Sequence, residues 1–149
     1  MSGSALAEVA ARLRAATLAA WSDHPARFRE DLGEGLVLTR GFDQCLQAFP
    51  RPIWQTVSQR VSALSMGSAD ARALRRLLFA GAAEVEIDRQ GRILIPQNLR
   101  EYAGLAEQVV ITGMDTYFEL WSMDRWGGVL EPIGATGSNI AEQLAALGI

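Results

Sequence analysis

The chain has 149 residues, 49% hydrophobic and 21% charged, which fits one globular domain or two small ones with a real core rather than a disordered or fibrous chain. Its net charge of −3 excludes a generally basic surface, so any nucleic-acid contact has to rest on a local patch of arginines, the only basic side chains besides a single histidine. Cys45 is the one cysteine, which excludes an internal disulfide and suits a reducing compartment; neither a membrane span nor a signal peptide is expected from the apolar pattern.

Residues 4–21 are rich in alanine and read as a helix capped by Ser4. Leu6, Val9, Ala10, Leu13 and Leu18 give it a loose apolar stripe. Pro25 to Leu32 reads as a short helix, and Gly33 and Gly35 break the chain after it. Leu36–Thr39 and Cys45–Phe49 are expected to form a hairpin around Gly41–Asp43. Ile53–Leu64 has the spacing of an amphipathic helix, Ser65–Ser68 of a linker, and Ala69–Ala80 of a second helix carrying Arg72, Arg75 and Arg76.

The densest stretch is Val85 to Glu101, VEIDRQGRILIPQNLRE. Val85–Asp88 alternates as a strand, Arg89-Gln90-Gly91 is a tight turn, Arg92–Ile95 is a second strand, and Pro96 opens a short helix over Gln97–Tyr102. Val109–Thr112 and Tyr117–Trp121 read as another hairpin around Met114-Asp115. A helical turn with Trp126 follows, and a joint at Gly134 leads to a short tail helix. Arg89 and Arg92 crown one turn, where they suit either phosphate and base edges or plain solvation. Arg72 and Arg76 share a helix face that suits a phosphate or subunit contact, or solvent.

The two halves repeat. PARFRE at Pro25 matches PQNLRE at Pro96, and LVLT at Leu36 matches VVIT at Val109. Asp43 matches Asp115, Cys45-Leu46 matches Tyr117-Phe118, Phe49 matches Trp121, and Trp54 matches Trp126. Two copies of one unit are expected to pair around a shared core. A counterpart of VEIDRQGRILI before Pro25 is missing; the chain reads RAATLAAWSDH there. With codons TGG-TCG-GAT-CAC, Trp21 to His24 read one base later begin Gly-Arg-Ile, so the stretch up to about His24 is read as an out-of-frame first unit, or else as a replaced or diverged helix.

From Pro25 to about Trp126 the chain resembles the MraZ family of bacterial transcriptional regulators. The residues carrying the resemblance are PARFREDL, GLVLTRGFDQCL, DARALRRLLFAGAAEVEIDRQGRILIPQNLREYAGL and FELWSMDRW. The resemblance implies an α+β fold of two SpoVT-AbrB-like swapped-hairpin β units with flanking helices, here with the first unit truncated. The expected division is an atypical segment 1–24, a partial first unit 25–52, a helical connector 53–81, a second unit 82–125 and a helical tail 126–149. The family's Asp-x-x-Gly-Arg turn falls on Asp88, Arg89, Gln90, Gly91 and Arg92. Arg89, Gln90, Gly91 and Arg92, with Arg72 and Arg76, are therefore the expected DNA-binding residues, and Asp88 is expected to order the turn.

The resemblance implies a cytoplasmic, nucleoid-associated homo-oligomer binding short tandem promoter repeats of the division and cell-wall gene cluster in double-stranded DNA. The alternative is an oligomeric assembly module with weak or no specific DNA binding, because the first turn has no counterpart. No catalytic residue, metal, cofactor, small-molecule substrate or membrane partner is expected: there is no metal-ligand spacing, phosphate loop or nucleophile elbow, and His24 and Cys45 form no recognisable site.

Overall fold

The computed structural model describes residues 35–88, 93–135 and 137–148. The helices expected at 4–21 and 25–32 lie outside the described residues, as do Arg89 to Arg92. Within them, β1 (Leu36–Arg40) and β2 (Leu46–Pro50) form the first hairpin. Two helices follow, α1 (Arg51–Ser62) and α2 (Ala69–Ala80), then the short strand β3 (Ala83–Val85) and helix α3 (Gln97–Ala103). β4 (Val109–Gly113) and β5 (Phe118–Ser122) form the second hairpin, followed by α4 (Met123–Ala135) and α5 (Gly137–Ala146). The five strands make one antiparallel sheet in the order β3-β1-β2-β5-β4.

The repeat governs this order. The hairpins join through β2 and β5, with Leu46 opposite Leu120, Gln47 opposite Glu119 and Ala48 opposite Phe118. Residue pairs 72 apart in the sequence exchange places across this ladder, so Gln47 and Glu119 mark a pseudo-two-fold axis. The hairpin tips repeat as well. Asp43 and Asp115 both take left-handed backbone, at φ 60° and 64°. Aspartate tolerates that region better than most side chains. Behind each hairpin an aromatic pair recurs: Phe49 to Trp54 at 5.6 Å and 47°, and Trp121 to Trp126 at 6.0 Å and 52°. Offset aromatic pairs of this kind add about 0.5–1.5 kcal/mol beyond their buried area.

One core serves both copies. Leu36, Leu38, Leu46 and Ala48 from the first hairpin meet Phe118 and Leu120 from the second, closed by Val85, Ile93, Ile95, Leu99, Ala103 and Leu105. The strand expected at Arg92–Ile95 is not hydrogen-bonded into the sheet. Its alternation is real nonetheless: Ile93 and Ile95 are buried and Leu94 is exposed. Burial follows side-chain pattern, whereas a ladder needs paired backbone, and no described strand pairs with Ile93–Ile95. β3 likewise ends at Val85 rather than Asp88, because β1 offers partners only for Ala83 to Val85.

The helices explain the other departures. α1 starts two residues before the expected Ile53, since Pro52 is tolerated in a first turn. It ends where Arg75 reaches across to accepting carbonyls at Ser62 (2.7 Å) and Leu64 (2.6 Å). α2 matches its expected span, with Ser68 Oγ accepting from the Ala71 amide at 3.2 Å. α4 is a full helix rather than a turn. Ser122 Oγ accepts from the Arg125 amide at 3.2 Å and Trp126 packs on Trp121, so its first turn is fixed despite Gly127 and Gly128.

The C-terminus of α2 is tied to the sheet by Arg40, whose Nε donates to Leu77 O at 3.0 Å and whose Nη2 donates to Arg76 O at 2.6 Å. A Cβ at Gly81 would sit 2.7 Å from Arg40 Nε. Gly81→Ala is therefore expected to cost about 1–3 kcal/mol in urea unfolding, as an overpacked contact does. In an Arg40→Ala background the same substitution should cost little; an unchanged penalty there would place the strain elsewhere.

Candidate nucleic-acid interface

The segment expected to form the arginine turn, residues 89–92, is flanked by two arms that the structure describes. On the entering arm Val85 is buried and Ile87 half-buried, with Glu86 and Asp88 exposed. On the leaving arm Ile93 and Ile95 are buried. All four apolar residues pack into or against the common core. Period-two alternation thus pins both arms, and only Arg89, Gln90, Gly91 and Arg92 join them. Those four lie outside the described residues, so the structure positions the arms of the turn and not its tip. Past the leaving arm, α3 enters at Pro96 and stops at Gly104, whose φ of 63° is the left-handed cap that glycine favours.

The helix arginines divide in role. Arg72 is half-buried and its Nη1 donates to Met66 O at 2.8 Å. Arg75 is spent on the end of α1 and also contacts the Met66 sulfur. Arg76 is exposed, and its main-chain carbonyl accepts from Arg40. Of the two helix positions expected to meet DNA, Arg76 presents an exposed side chain and Arg72 is partly engaged in holding the helical hairpin together.

Sequence reasoning assigned no role to the residues that lock the two copies together. Arg125 Nη1 donates to Gln44 O in the first hairpin at 2.9 Å and to Tyr102 O at the end of α3 at 3.1 Å. Tyr102 Oη donates to Gly41 O at 2.7 Å. The Arg40 guanidinium lies 5.9 Å from the centre of the Tyr102 ring. These residues fix the arginine-bearing second copy against the first hairpin. Arg125 stood within the FELWSMDRW segment, but its partners are carbonyls, which leave no residue-type signal in a sequence. Cys45 is buried beside the pseudo-two-fold axis, 3.2 Å from Phe42 O and 3.3 Å from Glu119 Oε2. Burial, followed by the hydrogen bond and charge of Glu119, pushes its thiol up to about 12. Among the described residues no group of three or more histidine, cysteine or acidic side chains could hold a metal ion. No described helix is long and apolar enough to cross a membrane.

A duplicated hairpin with a helix following it, folded across one pseudo-two-fold antiparallel sheet, defines a class of tandem-repeat α+β proteins. The profile of the family described as "MraZ protein, putative antitoxin-like" matches residues 25–77 and again residues 78–146. Among relatives, the transcriptional regulator MraZ of Roseiflexus castenholzii is 54% identical over 123 residues, covering 83% of this chain and 86% of that protein. The transcriptional regulator MraZ of Herpetosiphon aurantiacus is 50% identical over 125 residues, 84% of this chain and 87% of its own. That of Carboxydothermus hydrogenoformans is 48% identical over 120 residues, 80% and 84%. The chain belongs to the MraZ family.

The Cys45 environment gives a pH prediction. The native thiol stays protonated up to about 12, whereas in the unfolded chain it ionises from about pH 8.5. Its contribution is fully present below pH 8.5 and is lost as the pH rises above that, because only the unfolded state releases the proton. Between about pH 9 and 10, below the ordinary tyrosine range, urea unfolding of the native chain should show falling stability. Cys45→Ala should flatten that fall; an identical slope in both proteins would contradict it.

Proposed function

We propose that this chain is a DNA-binding transcriptional regulator that contacts double-stranded promoter DNA through Arg89, Gln90, Gly91 and Arg92, with Arg76 as a flanking phosphate contact. The observation that carries this reading is family membership together with the anchoring of both arms of that turn. Relatives of half-identical sequence bear the name transcriptional regulator. Arginine suits the task because its guanidinium can pair bidentately with guanine or clamp a phosphate. Asp88 orders the turn rather than touching DNA, since phosphate repels a carboxylate. Arg72, half-buried and bonded to Met66 O, is a weaker contact than Arg76 in this reading.

One turn carries few charges, so useful affinity comes from several subunits of a homo-oligomer meeting successive short repeats. Binding then weakens steeply with salt, because each phosphate contact releases counterions. Such a regulator works in the cytoplasm, at the nucleoid. It performs no catalysis. A second reading has one specific support: the residues before Pro25 hold no Asp-x-x-Gly-Arg counterpart. On that reading the chain assembles but binds DNA without selectivity.

Fluorescence anisotropy of a duplex carrying the tandem repeats upstream of the operon, set against a scrambled duplex at two salt concentrations, separates the two. Repeat-selective binding is expected, with Arg92→Ala weakening it about tenfold or more as a lost base contact. Arg76→Ala should weaken both duplexes alike and lower the salt slope by about one. Equal binding to both duplexes by the native chain would favour the assembly module.

A further inference from the structure

Strand β1 touches every element that the proposed interface uses. Its outer edge holds the entering arm of the expected turn through β3, with Leu36 opposite Val85 and Leu38 opposite Ala83. Its last residue, Arg40, reaches the other two elements. Nε donates to Leu77 O at 3.0 Å and Nη2 donates to Arg76 O at 2.6 Å, both near the end of α2. The same guanidinium lies 5.9 Å from the centre of the Tyr102 ring on α3, the helix that continues the leaving arm. Tyr102 in turn grips the residue after Arg40, its Oη donating to Gly41 O at 2.7 Å. A planar guanidinium can hold two carbonyls in one orientation while it packs on an aromatic ring; a lysine ammonium lacks that fork.

Two observations set this contact apart from general upkeep of the fold. Gly81 leaves the space the guanidinium fills, since a Cβ there would stand 2.7 Å from Arg40 Nε. The hairpin itself does not need the arginine. Strand register puts Gly113 in the position of Arg40 in the second hairpin, and each hairpin forms the same five residue pairs. Only the copy whose first strand carries the entering arm and meets α2 has an arginine there.

We infer that Arg40 is a positioning residue of the DNA interface, clamping α2 against β1 and α3 so that Arg76 and the arginine turn meet one duplex in a fixed relation. This rests on the regulator reading of the turn and of Arg76. Arg40 is half-buried and bonded within the chain, so it acts through Arg76, whose own carbonyl it holds, and not on DNA directly. Without the clamp, binding has to order the end of α2 before Arg76 can contribute, and that cost comes out of the affinity.

The test is the anisotropy titration of the full chain on the repeat and scrambled duplexes over a series of salt concentrations. The variants are Arg40→Met, Arg40→Lys, Arg76→Ala, and Arg40→Met combined with Arg76→Ala. Ile111→Val, in β4 and packed on the same core, controls for lost stability. Arg40→Met should reproduce Arg76→Ala, with both duplexes bound more weakly and the salt slope lower by about one. Arg40→Lys should do the same, because charge without the fork does not clamp. Adding Arg76→Ala to Arg40→Met should change Kd less than about twofold, the limit of ordinary additivity. Ile111→Val should leave Kd and slope alone. A native slope in Arg40→Met, full rescue by Arg40→Lys, multiplying effects of Arg40→Met and Arg76→Ala, or an equal loss in Ile111→Val would each overturn the inference. Repeat-selective native binding that Arg40→Met leaves unchanged sinks this inference alone. Absence of repeat-selective binding in the native chain sinks the regulator reading and the inference with it.

Discussion

The antiparallel ladder between β2 and β5 is the contact on which the rest depends. Neither hairpin could stand alone: an isolated two-stranded ribbon is marginal in water, and each presents one apolar face. Joining them edge to edge removes two open edges and brings Leu46, Ala48, Phe118 and Leu120 into one core. Its register is set because a slip of one residue would turn that entire set outward. The pseudo-two-fold axis, the placement of α3 under the sheet and the anchoring of the arginine turn's arms all follow from that single register.

Duplication gives the sheet its symmetry, and a few substitutions break it. Arg40 ties α2 to the first hairpin, while its counterpart by strand register is Gly113. Arg125 ties α4 to the opposite copy through the carbonyl of Gln44 and to α3 of its own copy through that of Tyr102. The outcome is one end of the sheet covered by a strand and a helical hairpin, and another with a half-buried edge. The copy that carries the Asp-x-x-Gly-Arg turn sends its first strand to the covered end.

Much of this was legible in the sequence, and the limits have physical causes. Both hairpins, α2 and the repeat were visible because period-two and period-3.6 patterns and matched aromatics lie in residue types. The repeat even foretold the shared core. The partners of Arg125 and Arg40 were not visible, since they are main-chain carbonyls brought near by folding. α4 was underestimated because its paired glycines argue against a helix locally, while Ser122 and Trp121 support it from outside the segment. At the candidate interface the turn at residues 88–92 remains an expectation of the sequence, and the structure supplies the burial of its flanking arms and the division of labour among Arg72, Arg75 and Arg76.

The two hairpin tips differ in length by one residue: five residues link β1 to β2 and four link β4 to β5. Yet the aspartates sit in the same left-handed conformation and the strands beyond them keep matching registers. A change in chain length has thus been absorbed within a tip without shifting a single strand pair. The second tip, at Met114–Thr116, is the natural seam of this fold, a place where a foreign loop or a reporter group can be grafted while both ladders keep their alignment, whereas the first lends its Gly41 and Gln44 carbonyls to Tyr102 and Arg125.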